Sequence, residues 1–195
     1  MQVPEPADPN GLSAQVHGPG TDSGPNSSTG SLSGMILRPY DDSDLDLTRS
    51  LETDPVVMRH LGGASGTDRA GSVHAKRMAG IAAGDLYRAV VPEGATEAVG
   101  LVAIWREEFE GATIHEIGAM FRPDHHRRGL GIAASRRLID EFRAGGVADQ
   151  LHCFTAVGNV AAERAAPIVG FRPVGECDLD YEGRSLRCRH WVLDL

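Results

Sequence analysis

The sequence predicts an α/β fold in which helices flank a mixed, mostly antiparallel sheet. Apolar runs with strand-like alternation and segments of helical spacing follow one another in the order β-α-α-α-β-β-β-α-β-α-β-β. Three successive strands are separated only by turns, which predicts antiparallel neighbours, and two strand-to-helix units come after them. Together these observations indicate one sheet covered by helices.

A segment of different composition precedes this pattern. Half of residues 1–34 are Gly, Pro or Ser, and hardly any large apolar side chain occurs among them. Such a segment cannot bury enough apolar surface to offset its chain entropy, so we expect a disordered tail at 1–34 and one domain at 35–195. The abrupt change at Met35 also leads to the hypothesis that translation begins there, which an intact mass that includes residues 1–34 would exclude.

Each expected element is delimited by local signals. Asp42 or Ser43 can cap a helix after the first strand, and Thr67 or Asp68 can cap another. A Pro-Glu-Gly turn separates the strands of one hairpin, and Gly183 separates the strands of the last hairpin. The elements, in chain order, are a strand at 35–39, helices at 42–51, 54–63 and 67–84, strands at 86–91, 99–105 and 113–121, a helix at 129–142, a strand at 151–155, a helix at 159–169, and strands at 171–180 and 185–193.

Charge and cysteine content limit the functional class. The net charge of −8 disfavours binding to nucleic acid, and it favours small cationic partners only through long-range steering. Cys153, Cys177 and Cys188 show no CxxC or Cys/His spacing, so we expect a reduced, cytoplasmic protein without a metal site. No apolar run approaches membrane-spanning length and no signal peptide is recognisable, so no membrane partner is expected. We expect a monomer or a homodimer.

The stretch from Thr113 to Phe142 is predicted to run from a strand through a basic turn into a helix. At the junction, His125 to Arg128 supply cationic side chains, and Gly129 and Gly131 supply a flexible backbone. Cationic side chains and free N–H groups at a helix start form an anion site, most naturally for phosphate.

The same glycines do not fit two other phosphate-binding motifs well. A dinucleotide-binding turn should follow its strand directly, with an acidic residue closing the next strand, whereas several residues intervene here and 151–155 ends without a carboxylate. A nucleotide loop of the Gly-Lys-Ser/Thr type is excluded because this loop contains no Lys.

Two motifs resemble the signatures of the GNAT superfamily of acetyl-CoA-dependent N-acetyltransferases. Residues 128–133, RGLGIA, resemble its Gln/Arg-x-x-Gly-x-Gly/Ala motif, in the usual place after the fourth strand. Residues 159–171, NVAAERAAPIVGF, match the spacing of a second motif, in which an Asn opens a helix that ends in Gly-Phe. The start of the domain, LRPYDDSDLDLTRSLETDPVVMRHLGG, further resembles the branch that contains the Rim-type ribosomal-protein N-acetyltransferases.

This resemblance implies that acetyl-CoA is the acyl donor and that the first motif holds its pyrophosphate through backbone amides. The glycines allow close approach of the backbone, and the helix that begins there adds a positive dipole end. Pantetheine would lie beside the end of the preceding strand, with the oxyanion donor near Ala119 or Met120. The cofactor-binding residues that the resemblance implies are Ala119, Met120, Phe121, His126, Arg127, Arg128, Gly129, Leu130, Gly131, Ile132, Ala133 and Asn159.

Glu116 is the candidate general base. An amine attacks a thioester only as the free base, so the site needs a proton acceptor. Period-two alternation places Glu116 on one strand face with Ile114, Gly118 and Met120, where apolar neighbours are expected to raise its pKa. In GNAT enzymes a carboxylate on this strand often has that role, usually through water. Gly118 is expected to mark a β-bulge, and His115 is expected on the opposite face in a structural role.

The second motif departs from the family pattern at one position. Many GNAT enzymes have a Tyr four residues before the Gly of Gly-Phe, where it protonates the leaving thiolate, and this chain has Ala166. Tyr181 and Ser135 are candidate replacements, and Tyr181 is assigned to the catalytic site. The resemblance implies direct acetyl transfer in a ternary complex to a primary amine, either a protein N-terminus or a small amine. The alternative is a catalytically weak or inactive acyl-CoA-binding module.

Overall fold

A computed structural model of the protein describes residues 34–181 and 183–195, which form a seven-stranded sheet and four α-helices. The strands are β1 (Met35–Pro39), β2 (Leu86–Pro92), β3 (Gly100–Phe109), β4 (Ala112–Phe121), β5 (Gln150–Ala156), β6 (Arg172–Asp180) and β7 (Ser185–Asp194). The helices are α1 (Leu45–Glu52), α2 (Thr67–Ala82), α3 (Leu130–Gly145) and α4 (Val160–Val169). The tail expected at 1–34 lies, except for Gly34, outside the described residues.

The sheet is mixed and mostly antiparallel, as the sequence predicts. Its strand order is β1-β2-β3-β4-β5-β7-β6, and the pair β4–β5 is parallel while every other neighbouring pair is antiparallel. The parallel pair arises because α3 carries the chain from the end of β4 back to the start of β5.

Helices cover both faces of the sheet and create two apolar clusters. On one face, α3 and α4 pack against large apolar residues of the central strands, among them Ile104, Ile117 and Leu151. On the other face, Leu47 and Leu51 of α1 pack against small residues of β2 and β3. The sheet is therefore buried on both sides at its centre, which leaves its edges and strand ends for ligands.

Two local expectations differ from the structure. The helix expected at 54–63 is only a 3-10 turn over Met58–His60, because Gly62 and Gly63 both adopt positive φ and end it. The bulge expected at Gly118 is absent from the continuous β3–β4 ladder, which pairs Gly118 with Ala103 in register. The register shift that the described strands do contain lies on β6, between Pro173 and Gly175.

Candidate functional site

The turn between β4 and α3 has the backbone of an anion-binding loop. Arg127 and Gly129 adopt left-handed φ values of 59° and 75°, and Gly129 is the residue that precedes the first turn of α3. No side chain caps this helix, and the backbone ladder begins with Ala133 N donating to Gly129 O at 3.0 Å. The N–H groups of the first turn therefore point out of the helix without an intrahelical acceptor, next to its positive dipole end.

The side chains of this loop have unequal surroundings. Arg127 and Arg128 are exposed, so their guanidinium groups can reach a bound anion. His126 donates from Nε2 to the carbonyl oxygen of Phe121 at 2.8 Å, which fastens the loop to the end of β4. A contact of His126 with phosphate stays a prediction. The hydrogen bond of His126 to Phe121 O indicates that His126 positions the loop.

Gly131 is not required by the protein's own packing. A Cβ atom at this position would lie 3.5 Å from the ring of Phe121, an ordinary contact distance, and the φ of Gly131 is not in the left-handed region. The remaining physical reason for glycine here is the close approach of a ligand to the backbone. The loop residues from Arg127 to Ala133 thus form one contiguous cradle, and their contact with a phosphate stays a prediction.

The sheet opens beside the C-terminal half of β4. Both β4 and β5 are described throughout, but the two strands pair only at Glu116 and His152. On its other side, β4 pairs with β3 as far as Phe121. Beyond Glu116 the β5-facing edge of β4 therefore lacks a strand partner, and Ala119 is exposed there. Unpaired strand edges bind extended ligands through main-chain hydrogen bonds. Ala119 to Phe121 consequently border a slot that leads from the anion loop toward Glu116.

Glu116 lies at the inner end of this slot, and its surroundings favour the neutral acid. Burial raises the pKa of the Glu116 carboxyl to about 8, and the neighbouring charge of Glu107 adds to the increase. The residues paired with it across the sheet are Trp105 on β3 and His152 on β5. A carboxyl group that titrates near pH 8 is matched to accepting a proton from an amine.

Sequence reasoning missed the aromatic residues around Glu116. A Cβ atom at Gly118 would lie 2.9 Å from Cη2 of Trp105, so glycine is needed here to seat the indole, not to form a bulge. Trp105 in turn stacks on Tyr87, with 6.5 Å between the ring centroids. Burial raises the pKa of Tyr87 to about 12, so its phenol stays protonated at neutral pH. The alternation of β3 places Trp105 on one face of its strand, but the sequence alone does not give the register that sets Trp105 opposite Glu116.

A buried ion pair ties α1 and α2 to this face of β4. Arg77 donates from Nη2 to Oε1 of Glu52 at 2.7 Å and from Nη1 to Oγ1 of Thr48 at 2.9 Å. The same Nη2 atom lies 3.6 Å from the sulfur of Met120. Arg77 therefore connects the helical layer with the strand that carries Glu116, and nothing in the local sequence marks this contact.

Tyr181 lies apart from the anion loop, at the turn between β6 and β7. It lines a cavity of about 170 Å³ together with Arg69, Arg184 and the connection from Leu61 to Gly66. Burial raises the pKa of the Tyr181 phenol, and the charge of Glu52 adds to this. Glu116 is not among the residues that line this cavity, so the structure does not bring the two candidate catalytic groups together in it.

The second motif has a structural function in this chain. Asn159 Oδ1 accepts a hydrogen bond from Ala162 N at 3.3 Å, which caps α4. Ala166 is buried in the apolar cluster under α3 and α4. Its methyl side chain has no proton to donate. His115 lies on the face opposite Glu116, where its ring contacts Phe142 at 5.1 Å between centroids.

The described residues show neither a metal cluster nor a membrane-spanning helix. Within the ranges 34–181 and 183–195, no group of three or more His, Cys, Asp or Glu side chains is arranged to hold a metal ion. In those ranges no helix is both long and apolar enough to cross a membrane.

Comparison with known proteins agrees with this architecture. A family model described as an acetyltransferase (GNAT) domain matches residues 35–172. No curated protein sequence matches the chain significantly.

Several solved structures share the fold at low sequence identity. Spermidine N-acetyltransferase from Vibrio cholerae, in complex with CoA and spermine, is 17% identical with a TM-score of 0.67, over 83% of this chain and 96% of its own. YncA from Salmonella typhimurium, a putative acetyltransferase with acetyl-CoA, is 22% identical with a TM-score of 0.59, over 83% and 94% of the two chains. RimL, a ribosomal L7/L12 alpha-N-protein acetyltransferase in complex with CoA, is 13% identical with a TM-score of 0.66, over 84% and 95%.

Proposed function

The chain belongs to the GNAT family of acetyltransferases, and on that premise we propose that it is an N-acetyltransferase that moves an acetyl group from acetyl-CoA to a primary amine. The observation that carries the proposal is the position of Glu116, a carboxyl group with a raised pKa at the point where β4 and β5 part. There it lies at the inner end of the slot that begins at the anion loop.

The residues present fit the donor. The cradle from Arg127 to Ala133 offers backbone N–H groups and two exposed guanidinium groups to a pyrophosphate, and Gly131 leaves room for its approach. The open edge at Ala119 to Phe121 offers main-chain partners to the amide-containing pantetheine arm. Bound acetyl-CoA would supply an activated thioester carbonyl. CoA-bound structures of the same fold support this assignment.

Glu116 then acts as the proton acceptor. The amine nitrogen forms a bond to the acetyl carbon, the bond from that carbon to sulfur breaks, and the amine proton passes to Glu116 directly or through water. The sulfur leaves as a thiolate and takes its proton from solvent or from a nearby acid. A thiol has a pKa of about 8.5, so the thiolate leaves without an obligatory acid near neutral pH. Tyr181 remains the candidate acid, and Ala166 supplies none.

A second candidate function is an acyl-CoA-binding module with little or no catalysis. The specific observation that favours it is Ala166, a buried alanine at the position where the family commonly has a tyrosine. In that case the loop and the slot would bind the acyl donor, and the buried carboxyl group of Glu116 would have no catalytic role.

The experiment that separates the two functions measures donor binding and acetyl transfer in parallel. We expect calorimetry to show acetyl-CoA binding, and we expect thiol release with a panel of primary amines. Glu116→Gln should reduce transfer by about 10²- to 10⁴-fold with donor affinity retained. Glu108→Gln, an exposed neighbour on β3, is the matched control. Donor binding without thiol release for any amine would favour the binding module, and absence of donor binding would remove both functions.

A further inference from the structure

The side chain of His152 lies next to that of Glu116 on the same face of the sheet. His152 on β5 is the register partner of Glu116 in the single bridge between β4 and β5, and paired residues of neighbouring strands point to one face about 5 Å apart. Leu151 and Cys153, on either side of His152, pack in the apolar cluster under α3 and α4. Strand alternation therefore places His152 on the opposite face of β5, where Glu116 lies.

A hydrogen bond continues from His152 to His190 on β7. Nδ1 of His152 and Nε2 of His190 are 2.9 Å apart, and the ring planes differ by only 17° with 5.1 Å between centroids. This is the arrangement of two coplanar rings that meet nitrogen to nitrogen, so the hydrogen bond is nearly linear. The second ring nitrogens, Nε2 of His152 and Nδ1 of His190, have no hydrogen-bond partner among the residues that the structure describes.

The carboxyl group of Glu116 has access to water. Its oxygens form no hydrogen bond within the described part of the chain, and they are not among the buried polar atoms that lack a partner there. A carboxyl group that is neither bonded to the protein nor sealed from solvent is hydrated. Because the neighbouring side chain is that of His152, one water molecule can join the carboxyl group to the free Nε2 of its ring.

The surroundings of both imidazole rings favour the neutral form. Burial lowers the pKa of His152, and the charge of His115 adds to this. Burial also lowers the pKa of His190, where His152 adds to the decrease and Glu110 opposes it. A neutral imidazole has one N–H group and one lone pair, so each ring can take up a proton on one nitrogen as it releases one from the other. The titratable side chains that surround Glu116 and the two rings are Tyr87, Glu107, Glu110, His115, Cys153, Cys177 and Cys188.

We propose that His152 and His190 relay to solvent the proton that Glu116 takes from the amine. This inference rests on the proposed acetyl transfer and adds two residues to it. The proton leaves the Glu116 carboxyl group for Nε2 of His152, the Nδ1 proton of His152 passes to Nε2 of His190, and the Nδ1 proton of His190 passes to water. Glu116 is then a carboxylate again, and both rings are neutral with their protons on the other nitrogen. Exchange with water at the two outer nitrogens restores the first tautomers.

The first test removes one relay atom and replaces it with a soluble proton carrier. In His152→Asn the amide can still donate to Nε2 of His190, but no nitrogen takes the place of Nε2 of His152. We expect kcat for thiol release to fall about tenfold in weak buffer, less than on loss of a general base itself, with acetyl-CoA affinity retained. Added 1,2-dimethylimidazole, which carries protons but has no N–H group to be acetylated, should restore kcat severalfold. The wild-type protein should not respond to it.

Two further variants assign the effect to the pair of rings. His190→Gln should show the same dependence on the proton carrier, because it interrupts the second step of the relay. His115→Asn is the matched control: this histidine precedes Glu116 in the chain, but its ring lies on the opposite face against Phe142. A kcat of His152→Asn equal to that of the wild type in weak buffer would overturn the inference. A loss that the carrier does not restore would overturn it as well, because the histidine would then act only through structure.

A titration followed by NMR separates this inference from the proposed function. The ring resonances of His152 and His190 are recorded against pH in the full chain and in Glu116→Gln. Because the Glu116 carboxyl group titrates near pH 8, both rings should show a step there that is absent in Glu116→Gln. That step supports the relay even if no amine releases thiol, in which case acetyl transfer alone fails. Thiol release without such a step at His152 defeats the relay alone.

Discussion

The anion loop and the face that carries Glu116 are built in different ways. The loop is one continuous segment from Arg127 to Ala133, and its properties come from backbone conformation at the start of α3. The Glu116 face is assembled from side chains of distant segments, among them Trp105 on β3 and Arg77 on α2. The first region can bind a donor common to many enzymes, whereas the second can vary with the acceptor.

Because the two regions are built from different parts of the chain, donor binding and catalysis should respond separately to substitution. A change in the loop should alter donor affinity and leave the pH dependence of catalysis unchanged. A change on the Glu116 face should alter pH dependence or rate and leave donor affinity unchanged.

The largest effect is expected from Gly131→Val. The added side chain would occupy the space through which an anion approaches the backbone of α3, so acetyl-CoA affinity should fall by about 100-fold or more, which corresponds to about 2.7 kcal/mol. Gly71→Val in α2, where a Cβ atom meets nothing within 4 Å, is the matched control. Calorimetric titration measures both, and an affinity unchanged in Gly131→Val would show that the loop does not hold the donor.

The second prediction concerns the pH dependence of stability. The pKa of Glu116 is raised in the folded state to about 8, so folding favours the protonated form and stability falls as pH rises from about 4.5 to 8. Glu116→Gln should remove this fall and gain on the order of 2 kcal/mol relative to wild type between pH 5 and pH 8, after allowance for partial exposure. Urea unfolding at the two pH values measures the difference. Equal pH dependence in both proteins would contradict a raised pKa.

The third prediction tests the support of Glu116 by Trp105. Gly118→Ala would place a methyl group 2.9 Å from the indole, which must shift, and we expect a loss of about 1–3 kcal/mol in the free energy of unfolding. Acetyl transfer should fall as well, because the wall beside the carboxyl group moves, while acetyl-CoA affinity stays within about threefold. Gly175→Ala on β6 is the control. A stable Gly118→Ala protein with full activity would show that the indole adapts freely.

The smallest effect is expected from Glu107→Gln. This exposed carboxylate contributes to the raised pKa of Glu116 as a second cause after burial, so its removal should lower the midpoint of the rising pH–rate limb by a few tenths of a pH unit. The variant Glu108→Gln should leave the midpoint unchanged. An upward shift in Glu107→Gln would contradict the like-charge interaction.

The same contrast explains how much the sequence could predict. Strand alternation, helix caps and turn glycines are local signals, so the fold class and the order of the main elements could be inferred from them. The binding of a phosphate at 127–133, whose bounds come from the family resemblance, stays a prediction. Glu116 could be placed on an apolar strand face for the same reason. The sequence predicts a helix at 54–63, where the structure has only the 3-10 turn at Met58–His60, because two consecutive glycines can either end a helix or prevent one.

Contacts between distant segments could not be inferred from those signals. The register that sets Trp105 opposite Glu116 depends on strand pairing. One strand alone therefore predicts a bulge at Gly118, whereas in the structure this glycine makes room for the indole. The ion pair of Arg77 with Glu52 and the meeting of Arg184 with Gly62 depend on how helices and hairpin pack over the sheet. Such tertiary contacts produce no recognisable pattern in the sequence of either segment alone.

The single bridge between β4 and β5 has a consequence for amide hydrogen exchange. Central strands of a sheet normally exchange most slowly, yet the β4 amides that point toward β5 beyond Glu116 have no strand to shield them. They should therefore exchange with solvent at rates typical of a sheet edge, although they lie in the middle of the fold. A ligand that fills the slot should slow their exchange selectively, and the pattern of protected amides would trace its path residue by residue.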